Sequence, residues 1–281
     1  MARRSSLDLL RTALADRYHV EAQIGRGGTA RVFRGVERSH DRPVAIKVLR
    51  SGVSVRIARE RFLQEIALIS QLKHPHLVPI LDSGEVEGLP YFVMPYVTGG
   101  SLRGEIDRHG ALEIGRALEI CRQVADAVAY AHAQGVIHRD LKPDNILHGE
   151  RGVVVVDFGF ARALHRAGDE RLTQAGEILG TPIYMSPEQA LGKWRIDETC
   201  DVYSLGCVAF EALTGEPPFR PASADSVIVR RLNDAVPSAH DRRSKVPEVV
   251  DVLLRAALAW SPAQRPNAAT FRDALAAVGR A

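Results

Sequence analysis

The apolar periodicity of this chain changes once, at Thr98-Gly99-Gly100, and that change constrains the fold more than any other feature. Before it, apolar residues alternate in short runs over 18–24, 31–36, 43–49, 76–83 and 89–95, which read as strands. The turn Gly25-Arg26-Gly27-Gly28 joins the first two, and 39–42 is a polar hairpin loop. One helix is expected over 56–72, where Ile57, Phe62, Ile66, Ile69 and Leu72 share a face, and His74-Pro75 ends it. After the glycines the spacing is helical: over 114–134, with Leu118, Cys121, Val124, Ala125 and Val128 on one side, and over 197–213, 225–234, 247–259 and 268–278. Residues 153–156 are the exception, a short buried strand. Strands first and helices afterwards imply an α+β protein with segregated parts. The expected organisation is an extension over 1–17, an antiparallel five-stranded part with one main helix over 18–97, a flexible joint at Thr98-Gly99-Gly100, and a helical part over 98–281. The extension reads as a short helix over 5–16, capped by Ser5 or Ser6, with Leu7, Leu10 and Leu14 turned to the first part.

The 281 residues are enough for such a core, and 46% hydrophobic with 25% charged residues is the balance of an ordinary globular protein. Residues 1–97 hold 15 basic and 10 acidic side chains, a net of +5, and the rest hold 22 and 24, a net of −2. The basic residues are dispersed, so no nucleic-acid partner is expected. Cys121, Cys200 and Cys207 lack disulfide or zinc spacing and fit a reducing cytoplasm. No run of 18 apolar residues marks a membrane span, and Arg3-Arg4 lead into no signal-peptide stretch.

The chemistry lies in one run and its satellites. His138-Arg139-Asp140-Leu141-Lys142-Pro143-Asp144-Asn145-Ile146 is followed by Asp157-Phe158-Gly159. Asp140 can accept a hydroxyl proton, Lys142 can offset charge on a moving phosphoryl group, and Asn145 and Asp157 offer hard oxygens to magnesium. Upstream, Gly25-x-Gly27-x-x-Ala30-x-Val32 lies between two strands, where glycines let backbone approach phosphates. No helix follows it, so a dinucleotide-binding reading fails. Val44-Ala45-Ile46-Lys47 puts a lysine on one face of the next strand, and Glu65 is its natural partner, though an exposed pair between Glu65 and Arg61 is the competing reading.

In this order the motifs resemble the eukaryotic-type protein kinase family, and within it the bacterial Ser/Thr branch, from about Tyr18 to Leu275. The resemblance implies a bilobal protein-kinase-like fold and ATP with Mg2+, or Mn2+ in its place, as cofactors. It assigns ATP contacts to Ile24, Gly25, Gly27 and Gly28, phosphate binding to Lys47 paired with Glu65, and the adenine sandwich to Val32, Ala45 and Leu147. Met94 resembles the gatekeeper and Pro95 to Val97 the hinge, whose backbone alone meets adenine. Asp140 would be the base, Lys142 would contact the γ-phosphate, and Asn145 and Asp157 would hold the metal. Glu188 is expected to meet Arg265, and Asp201 to anchor the catalytic loop. Ala30 in place of a third glycine, and Ser186-Pro187-Glu188 in place of Ala-Pro-Glu, are small departures.

Lys142 and Thr181 point to Ser/Thr hydroxyls of protein substrates, and the Ser-Pro-Glu segment argues against a small-molecule phosphotransferase. Arg139 and Thr173 imply a switch in which autophosphorylation of Thr173, with a homodimer forming meanwhile, orders the segment through Arg139. His138, Phe158, Ile69 and Ile80 are expected to stack in the active state. The alternative is a pseudokinase scaffold that senses nucleotide, and the complete motif set argues against it.

Overall fold

The computed structural model describes residues 5–27, 30–49, 66–158, 183–193, 196–219 and 234–279. They fall into two units. One holds the described parts of Met1–Lys73 with Val78–Val97. The other holds His74–Leu77 with the described parts of Thr98–Ala161 and Gly180–Ala281.

The first unit is built on a five-stranded antiparallel sheet: β1 (Tyr18–Arg26), β2 (Ala30–Glu37), β3 (Arg42–Leu49), β4 (Asp82–Val86) and β5 (Leu89–Pro95), in the order β1-β2-β3-β5-β4. Directly opposed residues of an antiparallel pair share a face. Gly25 opposes Val32, Val32 opposes Lys47, and Ala45 opposes Met94. Alternation then places Gly25, Val32, Ala45, Lys47 and Met94 on one face. The other face carries Phe33, Val44, Ile46, Val48, Tyr91 and Val93, which form the core of this unit with Leu10 and Leu14.

Those two leucines come from α1 (Ser6–Ala13) and the residue that ends it. Ser5 caps the helix by accepting from the Asp8 N–H, and Asp8 complements the positive end of the helix. Arg11 donates to the Val20 and Glu21 carbonyls at 2.9 and 2.5 Å, which fixes α1 along β1. Burying Leu10 contributes roughly 1.5–3 kcal/mol relative to exposing it. The helix therefore packs on the sheet, on the face away from Lys47. The two edge strands meet through the Tyr18 hydroxyl, which donates to Asp82 at 2.9 Å, and Arg17, which donates to Asp82 at 2.7 Å and also to Tyr91.

The second unit is helical: α2 (Leu102–His109), α3 (Ile114–Ala133), α4 (Pro187–Ala190), α5 (Thr199–Thr214), α6 (Ala239–Arg242), α7 (Glu248–Ala257) and α8 (Ala268–Val278), with one hairpin of β6 (Ile146–Gly149) and β7 (Gly152–Val155). Every residue of α5 from Cys200 to Leu213 is buried, so it is the axis on which this unit is assembled. Helix α3 packs against α5, α8 and β7.

Three expectations are revised. Residues 76–81 form no strand: the His76 carbonyl accepts from Val155 N–H, the His76 ring bonds the Val153 carbonyl and Leu77 bridges to Val155, whereas Leu81 N–H donates to the Val93 carbonyl of β5, so its two ends pair with different sheets. Pro79 also lacks a ladder donor. The expected joint is not loose, because a side chain at Gly99 would lie 2.1 Å from the His148 carbonyl and His148 N–H donates to Gly100. Helix α2 was missed because Gly104 interrupts its apolar pattern, though Ser101 caps it and Gly110 ends it. The start of the expected 56–72 helix and all but the last residue of the 225–234 helix lie outside the described residues. Positions 66–69 are helical.

Candidate active site

The His138–Asn145 loop is held from below by one carboxylate. Asp201, fully buried on α5, accepts from the backbone N–H of His138 and of Arg139, each at 2.7 Å, and bonds the His132 ring at 2.8 Å. Burial alone would push this carboxyl up. The His132 and backbone donors outweigh burial and hold it below the usual aspartate range. The Arg139 backbone is gripped on its other side, where the Gln189 amide donates to its carbonyl at 2.8 Å. Gln189 is itself fixed in a capping box with Ser186.

This grip explains an unusual backbone. Arg139 has φ 69° and Asp157 φ 65°, the left-handed region that L side chains avoid. Such strain persists where surrounding bonds over-determine it, and it gathers at functional sites. The His138 ring links the two segments. Its Nδ1 accepts from Asp140 N–H at 3.2 Å, so its Nε2 carries the proton donated to the Val156 carbonyl at 3.0 Å. The same ring meets Phe158 edge to face, with centroids 4.5 Å apart. That is half of the expected stack. Ile69 and Ile80 belong to the sheet unit.

The polar groups converge on Asp140. Lys142 Nζ donates to Asp140 Oδ2 at 2.7 Å. The Asn145 amide donates to the Asp140 carbonyl at 2.8 Å and, more weakly, to Oδ2 at 3.4 Å. Oδ1 carries no hydrogen bond among the described residues. The Asp140 side chain is 39% exposed, against 17% for Lys142, so solvent reaches the carboxylate. With its nitrogen turned to Asp140, the Asn145 amide has its oxygen left for a cation. Asp157 adds a carboxylate from the end of β7, so the donor set suits a hard divalent ion.

In the sheet unit, Lys47 Nζ lies 6.0 Å from the Phe92 ring centroid. Gly25 sits opposite Val32, where an added Cβ would come within 3.4 Å of the valine, and Gly27 N–H closes the turn on the Ala30 carbonyl at 2.9 Å. Ile24 is 46% exposed. Met94 and Pro95 end β5, Val97 follows, and Leu147 lies on β6 opposite Val154 in the other unit. Gly28, Glu65, Thr173 and Thr181 lie outside the described residues.

Two ion-pair networks stiffen the helical unit around the loop. Glu188 and Arg265 form the expected pair, bidentate at 2.7 and 2.8 Å, with side chains 4% and 0% exposed. Burial raises the Glu188 carboxyl, but Arg265 prevails and holds it below the ordinary range. The second network was not foreseen. The Tyr184 hydroxyl donates to Glu211 at 2.5 Å, and Arg103 donates to Glu211 at 2.7 Å and to the Tyr184 oxygen at 2.8 Å. Burial and Glu211 push the Tyr184 phenol far up, so it stays a donor. A glutamate inside the apolar run of α5 was the available signal, since a buried carboxylate requires partners.

Residues 18–275 match the family described as protein kinase domain. The chain is 40% identical over 240 residues to the probable serine/threonine-protein kinase PknB of Lactococcus lactis subsp. lactis (strain IL1403), covering 84% of this chain and 38% of that protein. It is 38% identical to the serine/threonine-protein kinase pkn3 of Myxococcus xanthus (95% and 51%) and 40% identical to PknB of Mycolicibacterium smegmatis (90% and 41%). It thus spans about half the length, or less, of these curated relatives. The crystal structure of Rad53 1-466 in complex with AMP-PNP superposes with a TM-score of 0.77 at 26% identity, covering 92% of this chain and 65% of that one. With the kinase-domain match running nearly end to end and the loop geometry above, the chain belongs to the protein kinase family.

Proposed function

We propose that this chain transfers the γ-phosphoryl group of ATP to serine and threonine hydroxyls of proteins. The observation that carries this reading is the Asp140 carboxylate. Lys142 and Asn145 hold its Oδ2, Asp201 anchors the backbone of the two residues before it, His138 and Arg139, and Oδ1 carries no hydrogen bond among the described residues and is left to accept a proton. The attacking hydroxyl gives its proton to Oδ1 as its oxygen bonds to phosphorus, and ADP leaves. Lys142, already beside the carboxylate, lies where it can offset charge on the transferring group. Lys47, on the same sheet face as Gly25, Val32, Ala45 and Met94, would bind the α/β-phosphates. Ile24, Gly27 and Gly28 would cover them, and the Pro95 to Val97 backbone would meet adenine beside Leu147. Asn145 and Asp157 would hold magnesium, which neutralises phosphate charge when bound. Glu65 would orient Lys47, Thr181 would contact Asp140 and Lys142, and Thr173 would be autophosphorylated in a transient homodimer, its phosphate then ordering the segment through Arg139.

The named relatives, which are serine/threonine-protein kinases, and the neighbour's AMP-PNP support this reading. No helix among the described residues is long and apolar enough to cross a membrane. The three cysteines are buried and free, with burial pushing the Cys121 thiol up to about 12. Such thiols suit the reducing cytoplasm. The test is transfer of label from γ-labelled ATP to a generic basic protein. Asp140→Asn should lower the rate by about 10²–10⁴, the usual worth of a general base. Equal rates would refute the assignment.

A further inference from the structure

The sheet face that carries α1 also carries two arginines with no ion-pair partner among the described residues. Arg26 and Arg31 oppose each other across the hairpin that bears Gly25 and Gly27. Like charges placed directly opposite on one face destabilise a strand pair. Neither arginine has an ion-pair partner among the described residues. Arg31 donates to the hydroxyl of Ser6, and its buried Nε has no hydrogen-bond partner. Ser6 is the first residue of α1, where the positive end of the helix adds to the same field. A hydroxyl and an arginine with an unsatisfied N–H thus meet at the start of α1, with a second arginine opposite on the same sheet face.

We propose that Ser6 is a phosphorylation site of this chain, and that its phosphate binds Arg31 and fastens α1 to the glycine-bearing hairpin. A phosphoserine brings about −1.5 to −2 charge and three acceptor oxygens. Those would satisfy Arg31 Nε and relieve the repulsion between Arg31 and Arg26. The neighbouring Ser5 is unsuitable. Its hydroxyl donates to the Asp8 carboxylate at 2.6 Å, so a phosphate there would face a like charge.

The kinase that modifies Ser6 is a second copy of this chain. Arg31 alternates with Val32 along β2, so Ser6 lies on the opposite face of the sheet from Lys47, out of reach of a phosphate bound there. The step rests on the activity proposed above. Ser6 Oγ bonds to the γ-phosphorus of ATP, the bond from that phosphorus to the β,γ-bridging oxygen breaks, the serine proton passes to Asp140 of the attacking copy, and ADP leaves. The first turn of α1 must fray to present Ser6, as helix ends do.

The experiment is incubation of the whole chain with ATP and magnesium, digestion before Asp8 to release residues 1–7, and tandem mass spectrometry. Transfer to a generic basic protein is measured in parallel. Phosphate on Ser6, at a rate rising with the square of protein concentration and absent in Asp140→Asn, is the expected result. Transfer to the generic protein without phosphate on Ser6, or phosphate on Ser5 alone, would overturn the proposal and leave the kinase activity standing. Loss of both would overturn both. A second arm installs phosphoserine at position 6 during synthesis. The apparent Kd for ATP should then fall about threefold to tenfold, of the order of one ordinary hydrogen bond, and Arg31→Gln should abolish the gain. An unchanged Kd would also overturn the proposed fastening.

Discussion

A buried charge is safe only while its partner is present, and Arg265 with Glu188 is the clearest instance. Both side chains are almost fully enclosed, so Arg265→Met leaves an uncompensated carboxylate in the core. Urea unfolding should show a loss of about 3–5 kcal/mol, the usual cost of breaking a buried pair from one side. The double variant Arg265→Met/Glu188→Leu should recover a large part of that loss. Thr173→Ala, at the only hydroxyl residue between Phe160 and Gly180, should lower activity at least about tenfold, read as initial rate after preincubation with ATP. An unaltered rate would remove the switch. The meeting of Asp140, Lys142 and Asn145 was legible in the sequence, because short-range spacing fixes it. The Tyr184–Glu211–Arg103 network was not legible, since its members lie up to 108 positions apart and only folding brings them together.

At the scale of elements, α5 and α1 do opposite work. Helix α5 is buried all round, and of its two carboxylates Asp201 organises the loop above it. Asp201→Asn keeps the shape but gives up charge-assisted bonds to the His138 and Arg139 amides, each worth roughly 1.5–3 kcal/mol. Since the strained φ at Arg139 depends on those bonds, kcat should fall more steeply than the melting temperature; a stable variant with full kcat would contradict the anchoring role. Helix α1 is a core element of the sheet. Leu10→Ala, at a side chain with 0% exposure, should cost about 2–5 kcal/mol in unfolding free energy. Element type was readable wherever a periodic run was long, as in α3 and α8. It failed at 76–81, where His76 and Leu77 pair with β7 and Leu81 with β5, and at α2, where one glycine breaks the stripe.

For the whole molecule, the depressed carboxyls set the response to acid. Glu105, Glu188, Asp201 and Asp251 all lie below their ordinary values of 4.5 for glutamate and 3.8 for aspartate. In each, donors outweigh the opposing effect of burial: Arg116 for Glu105, Arg265 for Glu188, His132 and backbone for Asp201, and Arg255 and backbone for Asp251. Their folded form binds protons less readily than the unfolded chain, so their stabilisation is present above those ordinary values and is lost as pH falls through the lower folded ones. The melting temperature should hold from pH 7 to about pH 5 and fall steeply below about pH 4; a flat profile to pH 3 would contradict this. The division into a strand-rich and a helix-rich part was visible in the change of period at Thr98-Gly99-Gly100. That those glycines lie packed against β6 was not, because close approach to the His148 carbonyl leaves no mark in composition. The central claim, a kinase for serine and threonine that works through Asp140, is tested most directly by phosphoamino-acid analysis of a protein acceptor labelled from γ-labelled ATP. Label on phosphoserine and phosphothreonine, none on phosphotyrosine, and loss of at least about a hundredfold in Asp140→Asn is the expected outcome. Label on phosphotyrosine, or equal labelling by the variant, would contradict it.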